Sequence, residues 1–536
     1  MTSSLATPPA TASAAGQLTT VTPRPPAPPA ATRVPAAGWG APLAVLIVGM
    51  FMSILDTSIV NVAIPTMQND FGATTQDIQW ISTAYTLCLG VVVPASAWLG
   101  DRVGLKRLYV ITLVAFSAAS ALCGLAGGLN SMIVFRILQA IPGGIIPVTC
   151  LTALYRVVPK EKIGTAMGLY GLGLVVAPAV GPTLGGYLVE YVSWRLIFFI
   201  NVPIGILGAV AALAVLPIFA KPAARALDVP GFASIATGLF ALLLAVSKGP
   251  DWGWTGYRIL ILFTIGALSL ALFVVTELQV REPLLDLRVF RYWPFINSLL
   301  LITIVSIGLF ATVFYVPLFL QEGQQLEAFN TGLLLLPQAL VMLVCMPIAG
   351  RLYDRIGPRI PAVTGLAICA AGLWLLHGIN ADMTHTEVVG WLMVMALGIG
   401  LAMMPIMTGG LSALPADIIN SGSALNNVVQ RVSQAIGLAG LTALATTLQA
   451  QDLADRSGLL NPLTATDPRV TALQQQGPLG LYPLWQRTNL EVQASAYSNI
   501  FLVITILLVI AALLALFLRH GPAPTDSADR STVAID

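Results

Sequence analysis

Apolar runs of about twenty residues recur from Ala41 almost to the end of the chain. A hydrocarbon core about 30 Å thick takes roughly 20 apolar residues per helix. Inside it every backbone N–H and C=O must be satisfied within the helix itself. Only 9% of the 536 residues are charged, where a soluble domain carries roughly a quarter, so a globular fold with a single anchor is excluded. The chain is predicted to be an all-α membrane protein. Polar breaks divide it into helices near 41–64, 77–99, 108–128, 131–154, 164–187, 195–218, 230–246, 259–278, 295–319, 330–349, 361–378, 389–411, 421–448 and 496–518.

Residues 1–40 form a Pro-, Ala-, Thr- and Ser-rich tail, read as disordered. It lacks the apolar segment of a cleavable signal, so the run from Ala41 is expected to be a retained first helix. With the N-terminus inside, 18 of the 26 Lys and Arg fall in cytoplasmic segments, 6 in external ones and 2 within helices. That bias supports the orientation and an even number of helices. The basic loops are Arg102 to Arg107, Arg156 to Lys162, Lys221 to Arg225, Arg281 to Arg291 and Arg351 to Arg359. A net charge of +2 argues against nucleic acid as a partner, because phosphate binding needs a concentrated basic surface. The lipid bilayer is the expected surrounding. Cys88, Cys123, Cys150, Cys345 and Cys369 lie in apolar runs without metal-ligand spacing, and His377 and His385 lack a ligand set. No metal and no cofactor is expected.

The string GDRVGLKR, Gly100 to Arg107, follows the second helix, and GRLYDRIGPR, Gly350 to Arg359, follows the tenth. Asp-Arg-x-Gly thus recurs on two turns of the same side. Two homologous six-helix halves, 41–218 and 295–518, explain the repeat, with two helices and their linkers inserted over 219–294. Parallel halves of this kind place a substrate site between them at mid-membrane. An external segment near 449–495 is left without an assigned structure, and 519–536 is read as a cytoplasmic tail.

Five strings carry a more specific resemblance. They are LDTSIVNVAIP (Leu55 to Pro65), AWLGDRVGLK (Ala97 to Lys106), RILQAIPGG (Arg136 to Gly144), GLYGLGLVVAPAVGPTLGG (Gly168 to Gly186) and SWRLIFFINVPIG (Ser193 to Gly205). In this order they are similar to the signatures of the fourteen-helix drug:proton antiporter family of the major facilitator superfamily. Ala97, Leu105, Ala140 and Ala177 depart from its usual residues. The resemblance spans Ala41 to Arg519 and implies the major facilitator fold, with two extra central helices.

An ionised carboxylate at mid-membrane costs several kcal/mol, so Asp56 must face a cavity or a partner. Burial disfavours its charged form and a nearby cation favours it, a balance suited to a reversible proton site. Arg136 is the candidate to tune it, with a guanidinium that never deprotonates. Arg136, Gln139 and Gly143 share one helix face. The competing reading is that both charges only brace neighbouring helices. Gly181 and Gly185 permit close backbone approach, and Pro178 and Pro182 each remove a helix hydrogen bond. The resemblance implies that Gly181, Pro182, Gly185 and Gly186 form a seal between the halves, against ordinary close packing. Asp101, Arg102, Asp354 and Arg355 form a candidate cytoplasmic gate, the carboxylates accepting from a helix N-terminus or pairing with arginines.

Asn427, Arg431 and Gln434 recur at i, i+4 and i+7 on the thirteenth helix, with Asn426, Gln430 and Ser433 as the next stripe. So polar a face must avoid lipid. Arg431 then lines the cavity, favouring anionic or zwitterionic cargo, or belongs to a buried network. Asn61, Tyr85, Gln139, Gln338, Asn427, Arg431 and Gln434 are the candidate cavity residues. The function expected is secondary active export of a hydrophobic or amphipathic drug, dye or metabolite, with protons as coupling ion, in a bacterial inner membrane. Uptake or efflux of one specific metabolite or lipid is the alternative on the same fold. A membrane-embedded transferase would need an acidic or histidine cluster that the sequence lacks, and no Walker A string implies direct use of ATP. Docking to a periplasmic adaptor and an outer-membrane channel is left open.

Overall fold

Two glycines held at positive φ make the turns that the repeated strings encode. Gly104 has φ +90° and Gly357 φ +80°, a region that side-chain-bearing residues rarely enter. Each follows an Asp-Arg pair at the end of a helix, so the sequence repeat is also a conformational one. The computed structural model describes residues 38–219, 228–280, 283–380, 382–415, 418–458 and 478–518. The tails, the Lys221 to Arg225 loop, Arg281 and the middle of the 449–495 segment lie outside the described residues.

The spans are α1 (Gly40–Phe71), α2 (Trp80–Val92, continued by Ala95–Val103), α3 (Leu105–Gly124), α4 (Leu129–Val157), α5 (Ile163–Tyr191), α6 (Asn201–Val215), α7 (Val229–Trp252), α8 (Tyr257–Gln279), α9 (Trp293–Leu318), α10 (Ala328–Ile356), α11 (Arg359–His377), α12 (His385–Ser412), α13 (Ile419–Gly458) and α14 (Pro478–Ala515). Among the described residues, thirteen helices are long and apolar enough to cross a membrane, or fourteen with the bent pair of α2 counted as one span. The order is α1–α6, an inserted hairpin α7–α8, then α9–α14.

One expectation changes. The second helix is not continuous: it bends by 59° between Val92 and Ala95, where Pro94 has no N–H for the preceding turn. The segment near 449–495, left without an assigned structure above, is helical in its described parts, because α13 has 40 residues and α14 has 38. At 1.5 Å per residue each is close to 60 Å long, roughly twice the hydrocarbon core.

Exposed apolar side chains mark the lipid face. On α8, Ile261, Ile265, Leu268, Leu272 and Val275 are all exposed at helical spacing. The α7–α8 hairpin is therefore peripheral, and α7 rests on α2 of the first half and α13 of the second. Lys248 fixes that seat. Its buried ammonium pairs with Asp251 at 2.9 Å and stands 5.3 Å from the Trp80 ring centre. Between the halves, α5 lies along α10, while its other flank lies on α1.

Candidate functional site

Proline and serine prepare the site before any charge does. Pro147 in α4 and Pro182 in α5 cannot donate to the carbonyls four residues earlier. Those are the carbonyls of Gly143 and Pro178. Ser53 donates to the first at 3.0 Å and Ser58 to the second at 3.2 Å. Both serines come from α1, so α1 is held to α4 and α5 on either side of Asp56.

Asp56 sits halfway along α1 and is fully buried. Its Oδ2 accepts from Arg136 Nη1 at 2.6 Å, and its Oδ1 from Gln139 Nε2 at 2.8 Å and Asn201 Nδ2 at 3.0 Å. Arg136 also donates to Gln139 Oε1 at 2.7 Å. Ser120 on α3 accepts from Gln139 at 3.0 Å and Asn201 at 3.1 Å, and donates to the Phe198 carbonyl. The Tyr85 ring covers the guanidinium, 3.7 Å from its centre to Cζ. Asp56 therefore meets a partner, not open water. Removing one side of such a pair costs about 3–5 kcal/mol, because the other charge is left buried alone.

A second constellation lies at the end of the bundle that carries the basic loops. Asp354, at the end of α10, caps the start of α5. Its carboxylate accepts from Gly164 N at 2.7 Å, Thr165 N at 2.8 Å and Thr165 Oγ1 at 2.6 Å. The repeat partner also bonds across the halves, in the opposite sense and to a side chain. Asp101, at the end of α2, accepts from Asn420 Nδ2 at 2.6 Å, and Asn420 Oδ1 accepts from Arg156 at 3.5 Å. Asn420 stands at the start of α13. The backbones also approach closely here: a Cβ on Gly168 would stand 2.5 Å from the Met346 carbonyl and 2.9 Å from Pro347 Cα. The two halves are thus in contact at the basic end.

The sequence model of the Major Facilitator Superfamily matches residues 46–438. The chain belongs to the major facilitator superfamily. It is 33% identical over 490 residues to the uncharacterized MFS-type transporter YhcA of Bacillus subtilis, covering 89% of this chain and 92% of that one. To the tetracenomycin C resistance and export protein of Streptomyces glaucescens it is 31% identical over 519 residues, 92% and 95% of the two chains. A multidrug resistance protein B homolog of Mycobacterium tuberculosis is 32% identical over 75% of each chain. Among solved structures, the human organic anion transporter TETRAN aligns with TM-score 0.57 at 12% identity, covering 88% of this chain and 99% of that one. A proton:xylose symporter aligns with TM-score 0.56 at 10% identity, covering 88% and 95%. At those identities the two structures show the fold alone. The chain is a multi-pass transporter of this superfamily, not an enzyme.

Within the superfamily fold, the candidate seal needs correcting. A Cβ on Gly181 would stand 2.5 Å from Ser58 Oγ, and one on Gly185 2.8 Å from Ile59 Cγ1. Gly181, Pro182 and Gly185 thus bring α5 onto α1 of the same half, and Gly186 faces open space. The close cross-half contacts of α5 belong to Gly164 and Gly168 instead, against Gly350, Met346 and Pro347 on α10.

Gln139 and Tyr85, expected on the cavity wall, are buried in the charge network, because Gln139 bonds Asp56 and the Tyr85 ring covers Arg136. Asn61 is exposed on α1 and accepts from Ser82 at 3.0 Å. Gln338, Asn427, Arg431 and Gln434 are half-buried, Asn427 donating to the Ser423 carbonyl at 2.9 Å. The next stripe of α13 turns inward: Asn426 is buried and Ser433 donates to Thr303 on α9 at 3.1 Å. Of the gate residues, Asp101 and Asp354 cross between halves. Arg102 is exposed, its guanidinium 5.3 Å from the Trp98 ring of its own helix, and Arg355 is exposed. Among the described residues, no group of three His, Cys, Asp or Glu could hold a metal.

Sequence reasoning missed Ser53, Ser58, Ser120, Asn201 and Asn420. Asn201 lies inside the SWRLIFFINVPIG string, and a lone Asn in so apolar a run was the available signal. The same string supplies Trp194, which donates to Asp70 at 2.7 Å and so ties down the far end of α1. Lys106, read as a topology signal, also donates to the Leu213 and Leu216 carbonyls at 2.8 and 2.6 Å, capping α6.

Proposed function

We propose that the protein exports hydrophobic or amphipathic small molecules from the bacterial cytoplasm in exchange for protons. Its basic end faces the cytoplasm in this reading. The single observation that carries it is the Asp56–Arg136 pair, whose carboxylate is held by side chains of α4 and α6 at the centre of the first half. A carboxylate in that position can change the energy of a whole bundle by gaining one proton. Ionised, Asp56 neutralises Arg136. Protonated, it can keep its bonds to Gln139 and Asn201, but Arg136 loses its counter-charge and must relax around Gln139 and the Tyr85 ring. The difference is of the size that moves a two-state transporter, about 1–3 kcal/mol. The direction of transport follows the relatives, two of which carry export or resistance names.

Asp56→Asn is the test, since it keeps size and most donors while removing titration. In proteoliposomes with an imposed pH difference, the variant should bind a transported dye but fail to accumulate it. Accumulation at the wild-type rate would remove Asp56 from the coupling role.

A further inference from the structure

Arg431 is a mid-membrane cation that the coupling site does not use. It lies twelve residues into α13, roughly 18 Å from the start of that helix at 1.5 Å per residue. Its Nε is buried and has no hydrogen-bond partner. Asp56 does not neutralise it, because both oxygens of that carboxylate are taken by Arg136, Gln139 and Asn201. Asp70, Asp354 and Glu387 stand close to helix ends. Asn427 and Gln434 share its face and are half-buried, and α13 packs on α2 and α4 of the first half as well as on α9 and α14 of the second, so this polar face belongs to a helix that touches both halves.

A guanidinium held this way keeps a buried N–H without an acceptor and gains no counter-charge, an arrangement that costs free energy while the site is empty. A planar fork of N–H donors is cheapest to keep there if something with paired acidic oxygens visits it. We infer that Arg431 seats an anionic group of the transported molecule, a carboxylate or a comparable pair of acidic oxygens, beside the Asn427 and Gln434 side chains. The cargo class is therefore the amphipathic organic anion. This rests on the transporter reading but not on proton coupling, and binding can be measured without any gradient.

Two xanthene dyes with one ring system test it: fluorescein, an anion, and rhodamine 6G, a cation. Fluorescence anisotropy in nanodiscs of phosphatidylcholine alone removes anionic lipid headgroups as the occupant. Wild-type protein should bind fluorescein saturably, and Arg431→Gln should weaken it at least ten-fold while sparing or tightening rhodamine 6G. Arg431→Lys, which keeps the charge but not the fork, should fall between. Melting temperatures of all variants report folding separately. Equal loss of both dyes with a lowered melting temperature, or fluorescein affinity unchanged in Arg431→Gln, would overturn the assignment. Asp56→Asn that loses gradient-driven accumulation yet keeps fluorescein binding would leave it standing, and normal accumulation in that variant would fail the coupling reading alone.

Discussion

Replacing Asp354 by Asn should open the basic end. The carboxylate accepts three hydrogen bonds between 2.6 and 2.8 Å, two from backbone N–H groups at the start of α5. Hydrogen bonds to a charged group contribute about 1.5–3 kcal/mol each, and the helix N-terminus adds about 0.3–1 kcal/mol for negative charge. Asn keeps one acceptor, loses the other and loses the charge. Asp354 is half-exposed and is rehydrated when the halves part, so the net loss of closed-state preference is about 2 kcal/mol. At 1.4 kcal/mol per decade that is roughly a 30-fold rise in the open population. A cysteine placed at Ala166, fully buried one turn into α5, reports this through its maleimide labelling rate once the half-exposed Cys88 is replaced. Thr165→Val, which removes one of the three bonds, should give a smaller rise of about 5-fold. A labelling rate in Asp354→Asn within two-fold of the parent would refute the latch, because the geometry then carries no bias between the two states.

Ser58→Ala leaves the Pro178 carbonyl without its donor and should lower the melting temperature by the equivalent of about 1–2 kcal/mol. Pro182→Ala restores an N–H four residues on, so the double variant should recover part of the loss, and strict additivity of the two melting shifts would contradict the account. Asn201→Leu removes bonds of 3.0 and 3.1 Å to Asp56 and Ser120. It should cost about 1–3 kcal/mol of stability and lower the amount of cargo moved per proton more than cargo binding, as read by paired flux and anisotropy measurements. Asp101→Asn should mimic Asp354→Asn in the labelling assay, since the two carboxylates hold opposite sides of one closure.

Much of this was legible because the membrane restricts the chain to helices and makes every interior charge conspicuous. Asp56, Arg136 and Arg431 stand out of apolar runs as mid-span charges, and the Asp-Arg-x-Gly repeat announces two matching turns at Gly104 and Gly357. What the sequence concealed follows from geometry that periodicity does not carry. Gly181 and Gly185 read as a helix-packing face, but their register, fixed by Ser58 reaching the Pro178 carbonyl, decides that the face meets α1 and not the second half. Serines such as Ser53 and Ser120 are unremarked in membrane helices, because one hydroxyl can always bond its own turn. Only the neighbouring proline or carboxamide reveals which of them bridge helices. Gln139 read as cavity lining for the same reason: its face was predicted, while the side that Asp56 occupies was not.

Under the proposed exchange cycle two helices would carry the gate, and each leads to one of the charges. The start of α5 is held by Asp354, and fourteen residues on, roughly 21 Å at 1.5 Å per residue, its Pro178 carbonyl is bound by Ser58, two residues from Asp56. The start of α13 is held through Asn420 by Asp101, and eleven residues further along the same helix stands Arg431. Each gripping carboxylate belongs to the half opposite the helix it grips, so a rocking motion that parts the halves at the basic end must break both grips together. Under the proposed exchange cycle, a change at Asp56 acts on the gate through α1 and α5, and a change at Arg431 acts on it through α13. The two ligands need no contact with each other to be exchanged in turn. It is enough that both bias the same two-state closure, which is the condition for coupling between separate sites.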